Sequence, residues 1–280
     1  MASPAPLEEF IDRSRRLFVL TGAGCSVNSG IPDYRDADGA WKRAPPVTHQ
    51  AFMGQEATRR RYWARSLIGW RRIRRAQPND AHRALARLEA MGKSEILLTQ
   101  NVDRLHQAAG SEAVIDLHGR LDRVRCMGCG RVSPRDALQE ELAQLNPQWL
   151  ASDAVDAPDG DADLDGVDFS AFAIPACPHC GGVLKPDVVF FGDNVPRDRV
   201  EAARRRLERA DAALVVGSSL MIYSGFRFVE AAVRAGKPVA AVNLGRTRAD
   251  PLLTLKVEAS CEAALGFLLA APRDEERLTS

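Results

Sequence analysis

The 280-residue sequence predicts an α/β fold built on a doubly wound parallel sheet. Four short apolar runs recur along the chain, each too short for a helix and rich in the branched residues of buried parallel strands. Helical patterns, such as those over residues 80–91 and 199–210, lie between the runs. Strands that alternate with helices favour a parallel sheet with helices on both faces. The four runs cover residues 17–20, 96–98, 213–216 and 239–242.

Small or polar residues follow each of these runs. In open α/β sheets, ligands bind in the crevice beyond the carboxyl ends of the strands. Four such ends together predict a nucleotide site, whereas one alone would indicate little. The residues at these ends are Gly22-Ala23-Gly24, Gln100-Asn101-Val102-Asp103, Gly217-Ser218-Ser219 and Asn243-Leu244-Gly245.

The glycine loop after the first run is expected to open a helix. Gly22 and Gly24 would let the backbone approach a pyrophosphate, whose charge a helix N-terminus favours. The spacing departs from the dinucleotide pattern G-x-G-x-x-G, because the next glycine is Gly30. On its own, such a loop is as often a plain tight turn.

The cysteines predict one structural zinc ion. Cys126 and Cys129 form one C-x2-C pair, and Cys177 and Cys180 form a second pair, with 47 residues between the two pairs. Four thiolates complete a tetrahedron and leave no open coordination position, so the ion would be structural. The alternative is two chance pairs. His179, inside the second pair, is interpreted as a bystander because the coordination shell is already full.

The chain divides into three predicted parts. Residues 10–40, 80–120 and 186–270 form the large domain, 41–79 a helical segment, and 121–185 a small zinc domain. The helical segment carries eight arginines between residues 59 and 75, and the zinc domain includes an acidic loop, 151–170, with seven aspartates. An arginine run could bind an acidic partner, but it is more often the solvated face of a helix.

Charge and hydropathy exclude several classes of function. The net charge of +1 indicates no affinity for nucleic acid or for a membrane surface. No apolar run approaches the ~20 residues that span a bilayer, and the first residues lack a signal-peptide pattern. We therefore expect a cytoplasmic protein with neither membrane nor nucleic acid as a partner; its oligomeric state stays open.

Several segments together resemble the sirtuin family. Residues 22–35 are similar to its glycine-alanine-glycine through glycine-isoleucine-proline-aspartate-aromatic-arginine signature, and 99–103 to its second motif. His118-Gly119 resembles the third motif, the cysteine pairs fall where the family binds zinc, and 185–192 is similar to its substrate-pairing segment. Residues 61–65 and 157–161 are similar to the class II branch, which includes a mitochondrial member of animals.

The resemblance implies a Rossmann-like domain and an NAD-dependent protein lysine deacylase. In that reaction NAD is consumed, and the products are free lysine, nicotinamide and an O-acyl-ADP-ribose ester. Acyl-lysine proteins would be the substrates. Two alternatives use the same site: mono-ADP-ribosyl transfer to protein, and a catalytically weak NAD sensor.

The resemblance also assigns the site residues. His118 would be the catalytic base, with Asn101 and Asp103 beside it, although a lone histidine is more often structural. The expected NAD contacts are Gly22, Ala23, Gly24, Asp33, Tyr34, Arg35, Gln100, Asn101, Asp103, Gly217, Ser218, Ser219, Asn243, Leu244, Gly245 and Cys261. The expected substrate contacts are Tyr62, Arg65, Val188, Val189, Phe190, Phe191 and Gly192.

Two of these neighbourhoods carry open alternatives. Tyr62 and Arg65 lie three apart, so on a helix both could face one acyl pocket and hold an acidic acyl group. Equally, Tyr62 could pack and Arg65 could be one more solvated arginine. Cys25, where the family usually has isoleucine or alanine, could be a reactive thiol or a small apolar residue in a turn.

Overall fold

A computed structural model describes residues 5–43, 45–150, 155–157, 161–163 and 167–270. The strands are β1 (Leu17–Thr21), β2 (Ser94–Thr99), β3 (Val114–Asp116), β4 (Gly119–Cys126), β5 (Val132–Pro134), β6 (Val155–Ala157), β7 (Asp161–Asp163), β8 (Leu184–Val188), β9 (Ala212–Val216), β10 (Val239–Val242) and β11 (Leu255–Val257). The helices are α1 (Ala5–Arg13), α2 (His49–Gly54), α3 (Glu56–Arg75), α4 (Asp80–Ala90), α5 (Leu105–Ala108), α6 (Arg135–Leu145), α7 (Arg197–Arg209), α8 (Tyr223–Arg234) and α9 (Cys261–Leu265).

The large sheet is parallel throughout and has the strand order β11-β10-β9-β1-β2-β3. β1 lies inside it, between β9 and β2, and all five of its residues are buried. A strand buried on both faces needs apolar side chains at consecutive positions, which is the pattern that the four runs show. All four predicted runs are strands of this sheet.

Helices cover both faces of the sheet, as the predicted doubly wound fold requires. Side chains alternate along a strand, so Leu17 and Val19 enter one core with α1, α4 and α9. Phe18 and Leu20 enter the opposite core with α7 and α8. Burying one side chain of this size contributes about 1.5–3 kcal/mol to the stability of the fold. The two cores together position the carboxyl ends of the strands.

The small sheet belongs to the zinc-binding part of the chain. β4 pairs antiparallel with β5 on one side and with β8 on the other. The core beneath it takes Val124 from β4, Leu142 from α6 and Phe172, and also Trp63 and Leu67 from α3. The helical segment 41–79 and the zinc domain 121–185 therefore share a core, while the boundaries between the parts stay a prediction.

Helix α3 carries the arginine run, and part of the run bonds within the chain. Arg60 pairs with Glu56 and donates to the carbonyl of Phe172, and Arg74 lies 3.5 Å from Asp136. The acidic loop 151–170 lies largely outside the described residues. Of it, β6 and β7 form an antiparallel pair, and the backbone of β7 lies against α3.

No helix among the described residues is both long enough and apolar enough to cross a bilayer.

Candidate functional site

The loops after β1, β2 and β9 meet at the carboxyl edge of the large sheet. The amide of Gly24 donates to the carbonyl of Gly217 at 2.8 Å, which joins the first loop to the third. Gln100 donates from its side chain to Ser218 Oγ at 2.7 Å and from its amide to the carbonyl of Thr21 at 2.9 Å. Residues that are far apart in the sequence thus form one crevice, as the strand ends predicted.

The glycine loop does not open an α-helix, so that expectation is wrong. Two short 3-10 turns, Ala23–Cys25 and Val27–Ser29, follow β1 instead. The glycines are required by contact between loops, because a Cβ on Gly24 would lie 2.9 Å from the carbonyl oxygen of Gly217. Gly217 itself has φ +62°, and a Cβ there would lie 2.3 Å from the Cys25 nitrogen. Larger residues would force the two loops apart.

The segment after Gly30 folds over the crevice. Arg35 donates to the carbonyl of Gly39 at 2.7 Å, and its guanidinium lies 3.8 Å from the centroid of the Trp41 ring. Burial lowers the pKa of Arg35. Ala37 accepts from the amide of Arg246 at 2.7 Å, which places this segment against the loop after β10. The predicted NAD contacts at 33–35 and 243–245 therefore lie on connected loops.

An aromatic group connects the cofactor segment to the expected substrate segment. Tyr34, Trp41 and Phe191 have ring centroids between 5.6 and 6.2 Å apart, all in edge-on arrangements. Phe191 belongs to the 188–192 segment, so the aromatic group lies between the two predicted subsites.

The backbone of the 188–192 segment is partly engaged in hydrogen bonds within the chain. Val189 donates to the carbonyl of His118 at 2.8 Å, and Phe191 accepts from the amide of His49 at 2.9 Å. Among the described residues, the carbonyl of Val189 and the amide of Phe190 have no hydrogen-bond partner. These two groups are available to an added peptide strand.

Asn101 and Asp103 lie in a buried polar network with Ser26. Asn101 donates to Ser26 Oγ and to the carbonyl of Gly22, both at 3.0 Å. Ser26 donates to Asp103 Oδ2 at 2.7 Å, and Leu105 donates its amide to the other carboxylate oxygen at 2.9 Å. Burial raises the pKa of Asp103 against these hydrogen bonds. Ser26 was not among the predicted site residues, although it lies inside the 22–35 signature.

His118 lies at the junction of the two subsites and is neutral. Its Nδ1 is 3.0 Å from the carbonyl oxygen of Gln100, which can only accept, so Nδ1 carries the proton and Nε2 the lone pair. The pKa of His118 is lowered to about 4, chiefly by burial, with the Gln100 bond opposing the shift and the charges of Arg199 and Arg227 adding to it. A neutral imidazole with a fixed tautomer can accept a proton.

Two further histidines are buried beneath the glycine loop. His82 lies on α4 and His106 on α5. His106 Nε2 is 2.9 Å from Thr21 Oγ1, and the rings of His82 and His106 lie 4.7 Å apart. Burial lowers the pKa of His82 to about 4 and that of His106 well below 6.5.

These histidines predict acid-sensitive stability. The folded pKa values of His82 and His118 are about 4, that of His106 is also lowered, and each has an ordinary value of 6.5. Between those values the unfolded chain binds protons that the folded chain does not. Stability is therefore complete above pH 6.5 and lost as the pH falls towards 4, by up to about 1.4 kcal/mol per pH unit for each histidine. Urea unfolding at pH 7.5 and pH 5 measures this, and equal free energies of unfolding would contradict it.

The four cysteines of the two C-x2-C pairs lie together. Their sulfur atoms are all within 4.8 Å of one another, with Cys126 3.4 Å from Cys180 and Cys129 3.9 Å from Cys177. The amides of Gly128 and Cys129 point at Cys126 Sγ, at 3.4 and 3.5 Å. Four convergent sulfurs form a structural zinc site, and His179 is not among the clustered ligands.

Cys25 is not a reactive thiol. It is fully buried, and a hydrogen bond with Cys261, followed by burial itself, raises its pKa well above 9.0. A reactive cysteine needs a lowered pKa and access to solvent. Cys261 lies under the glycine loop, with its sulfur 3.8 Å from the carbonyl oxygen of Gly24.

Tyr62 and Arg65 lie on α3, beside the substrate segment. The ring of Tyr62 is 5.2 Å from that of Phe190 and 5.3 Å from that of Phe52. Tyr62 therefore packs beside the expected substrate segment, a contact that both alternatives allow. Arg65 is half-buried.

Comparison with known proteins gives a consistent result. The model of the Sir2 family matches residues 22–224. An NAD-dependent protein deacetylase 2 of Bradyrhizobium diazoefficiens is 70% identical over 263 residues, covering 94% of this chain and 96% of that protein. An NAD-dependent protein deacetylase of Bordetella bronchiseptica is 62% identical, covering 96% of this chain and 98% of that protein.

Solved structures agree in fold. A Sir2 structure with a p53 peptide and NAD+ has a TM-score of 0.76 at 30% identity, covering 96% of both chains. A Sir2 structure with a bound propionylated peptide has a TM-score of 0.72 at 31% identity, again covering 96% of both chains.

Proposed function

This chain belongs to the Sir2 family and is an NAD-dependent protein deacetylase with a structural zinc site, and from that premise we propose what its own residues do. The observation that carries the proposal is the position of His118, neutral and half-buried, between the nucleotide crevice and the 188–192 segment. The roles that we propose for the other residues depend on this position of His118.

NAD would bind along the carboxyl edge of the large sheet. Asn101 and Asp103, next to His118, would bind the nicotinamide and its ribose, because their polar atoms are buried and oriented by Ser26. At the other end, Leu244 is 63% exposed and follows β10, and a bound adenine would cover its apolar surface. The loops at 22–24, 217–219 and 243–245, the segment 33–35, and Cys261 beneath Gly24 complete this proposed site.

The peptide would add as a strand to the 188–192 segment. The free carbonyl of Val189 and the free amide of Phe190 would pair with its backbone, which gives affinity with little demand on sequence. The acyl-lysine would then lie beside the Tyr34, Trp41 and Phe191 rings and extend towards His118.

Bound NAD would supply the ribose carbon from which nicotinamide is displaced by the acyl oxygen. His118 Nε2 would take the proton of a ribose hydroxyl, while Nδ1 keeps its hydrogen bond to the Gln100 carbonyl. That carbonyl stabilises the imidazolium as it forms, because its dipole points at the positive ring. A general base of this kind contributes about 10²–10⁴-fold to the rate.

Mono-ADP-ribosyl transfer remains the second candidate at the same site. For deacylation we also propose that Tyr62 and Arg65 contact the acyl end, since Tyr62 is against Phe190.

We further propose a cytoplasmic location, because zinc-binding thiolates must stay reduced. We also propose that the protein has no nucleic-acid partner, because its net charge is +1.

One assay tests the proposed deacylation, the alternative ADP-ribosyl transfer and the role of Arg65. Acetyl, propionyl, succinyl and glutaryl forms of one lysine peptide are incubated with the protein, with and without NAD. Nicotinamide release reports turnover, and the peptide mass separates loss of the acyl group from gain of ADP-ribose. We expect NAD-dependent loss of the acyl group. If Arg65 grips an acidic acyl group, the succinyl and glutaryl peptides react ten- to a hundredfold better, as a charge-assisted contact allows.

The matched variants are Arg65→Met and Arg75→Met. Arg75 ends α3 and is exposed, so its replacement controls for the loss of one positive charge. Acidic preference should vanish in Arg65→Met and persist in Arg75→Met. No acidic preference in the parent, or one that survives Arg65→Met, rejects this role for Arg65 and leaves the deacylase assignment untouched.

A further inference from the structure

Ser224 makes a hydrogen bond to His118 that no sequence motif indicated. Its Oγ lies 2.8 Å from His118 Nε2. Because Nδ1 donates to the Gln100 carbonyl, the neutral ring offers only a lone pair at Nε2. Ser224 must therefore be the donor. Gln100 and Ser224, which hold the two nitrogens of the imidazole, are 18 and 106 positions away from His118 in the sequence.

The backbone around Ser224 is held firmly, so its hydroxyl has a defined position. Ser224 is the second residue of α8, whose residues Phe226 and Phe228 are buried in the core on that face of the sheet. Its neighbour Gly225 packs against Gln100, where a Cβ would lie 2.6 Å from Oε1. The same amide side chain contacts Ser218 in the nucleotide crevice. The start of α8 is therefore fixed to the residues that surround His118.

We propose that Ser224 is a positioning residue for the deacylation reaction, which orients the His118 ring until the ribose hydroxyl replaces the serine hydroxyl at Nε2. The proposal rests on His118 being the base. The hydroxyl donates to the lone pair of the neutral ring and can turn to accept from a protonated Nε2, so it fixes the direction of Nε2 in both states. The lone pair of His118 Nε2 therefore already points at a hydrogen-bond donor, the Ser224 hydroxyl.

The charged side chains around His118 do not provide this orientation. Arg199 on α7 and Arg227 on α8 are the charged groups that act on His118, and both lower its pKa through space. Neither is within hydrogen-bond distance of the ring. Their effect disfavours the imidazolium but does not orient the imidazole, and it would persist in a variant that lacks the Ser224 hydroxyl.

The test compares Ser224→Ala with Ser224→Thr, which keeps a hydroxyl. Loss of this hydrogen bond should lower kcat about three- to tenfold. It should also lower the pKa of His118, because the hydroxyl bonds the protonated Nε2 more strongly than the neutral one. Titration of the His118 imidazole by NMR measures the pKa directly, and the pH dependence of kcat/KM for NAD should show the same downward shift. KM for the peptide and for NAD should change by less than about twofold, because Ser224 is not proposed to bind either substrate.

Ser133→Ala, on the exposed strand β5, is the control for a remote serine and should keep the parental profile. Ser224→Thr should restore the profile at least in part; a threonine variant that behaves like alanine, or an alanine variant with unchanged pKa and kcat, overturns the proposal. Should the alanine variant fold poorly, Ser224→Gly is read by the same NMR titration. His118→Ala is run alongside, because activity in that variant would reject His118 as the base rather than Ser224 as its positioning residue.

Discussion

Replacing His118 by alanine is expected to lower kcat about 10²–10⁴-fold, the contribution of a general base. The His118 imidazole contacts the Gln100 carbonyl through Nδ1 and the start of α8 through Nε2. The charged groups that act on it, Arg199 and Arg227, are guanidinium ions without an acceptor, so neither can take over its proton transfer. The variant should still fold, since the ring is half-buried rather than part of either core.

Calorimetric NAD binding and steady-state deacylation separate the two effects in His118→Ala. Binding should stay within a few-fold of the parent, because the proposed NAD contacts lie on other residues. His179→Ala is the matched control, since His179 is exposed and lies outside the group of four zinc-binding sulfurs. More than a tenth of the parental rate in His118→Ala would show that another group is the base.

Replacing Cys129 by serine is expected to abolish zinc binding and unfold the small domain. Structural zinc contributes about 10–16 kcal/mol in zinc-finger peptides, which matches or exceeds the 5–15 kcal/mol total stability of a typical domain. Here the metal would bring together the Cys126–Cys129 turn and the Cys177–Cys180 turn, beside the β4–β8 pairing and the hydrogen bond from the Met127 amide to the Val183 carbonyl. Without it, four thiols with sulfurs within 4.8 Å of one another have no common partner.

Elemental analysis of the purified chain should give one zinc in the parent and less than a tenth of one in Cys129→Ser. Limited proteolysis should then cut first within residues 121–185. Cys25→Ala should keep its zinc, because Cys25 lies in the core of the large domain. A metal-free protein with parental activity would reject the structural role.

Much of the fold could be predicted because its signals are local. A buried parallel strand shows itself in consecutive apolar residues, so the runs at 17–20 and 239–242 were recognisable without knowledge of their neighbours. A C-x2-C turn likewise places two sulfurs about one metal by itself, so the zinc site followed from spacing. The resemblance to sirtuins then assigned His118, a residue that spacing alone would have left as a structural histidine.

The local reasoning failed where conformation depends on a distant partner. The glycine loop was expected to start a helix, but Gly24 bonds to Gly217, and this contact between loops holds the chain in 3-10 turns. For Cys25 the sequence left two alternatives, a reactive thiol or a small apolar residue in a turn, and only the packed fold separates them. The core around it, and Cys261 in particular, makes it inert.

The sequence by itself therefore determined the class of fold, the zinc ligands, the family and the edge of the sheet where the site lies. The tertiary structure alone decided which partners the buried polar side chains have: Ser26 with Asp103, Thr21 with His106, and Ser224 with His118. The reason is physical. A strand or a metal knuckle is specified by residues a few positions apart, whereas a buried polar side chain is satisfied by whichever donor or acceptor the packed fold brings within 3 Å.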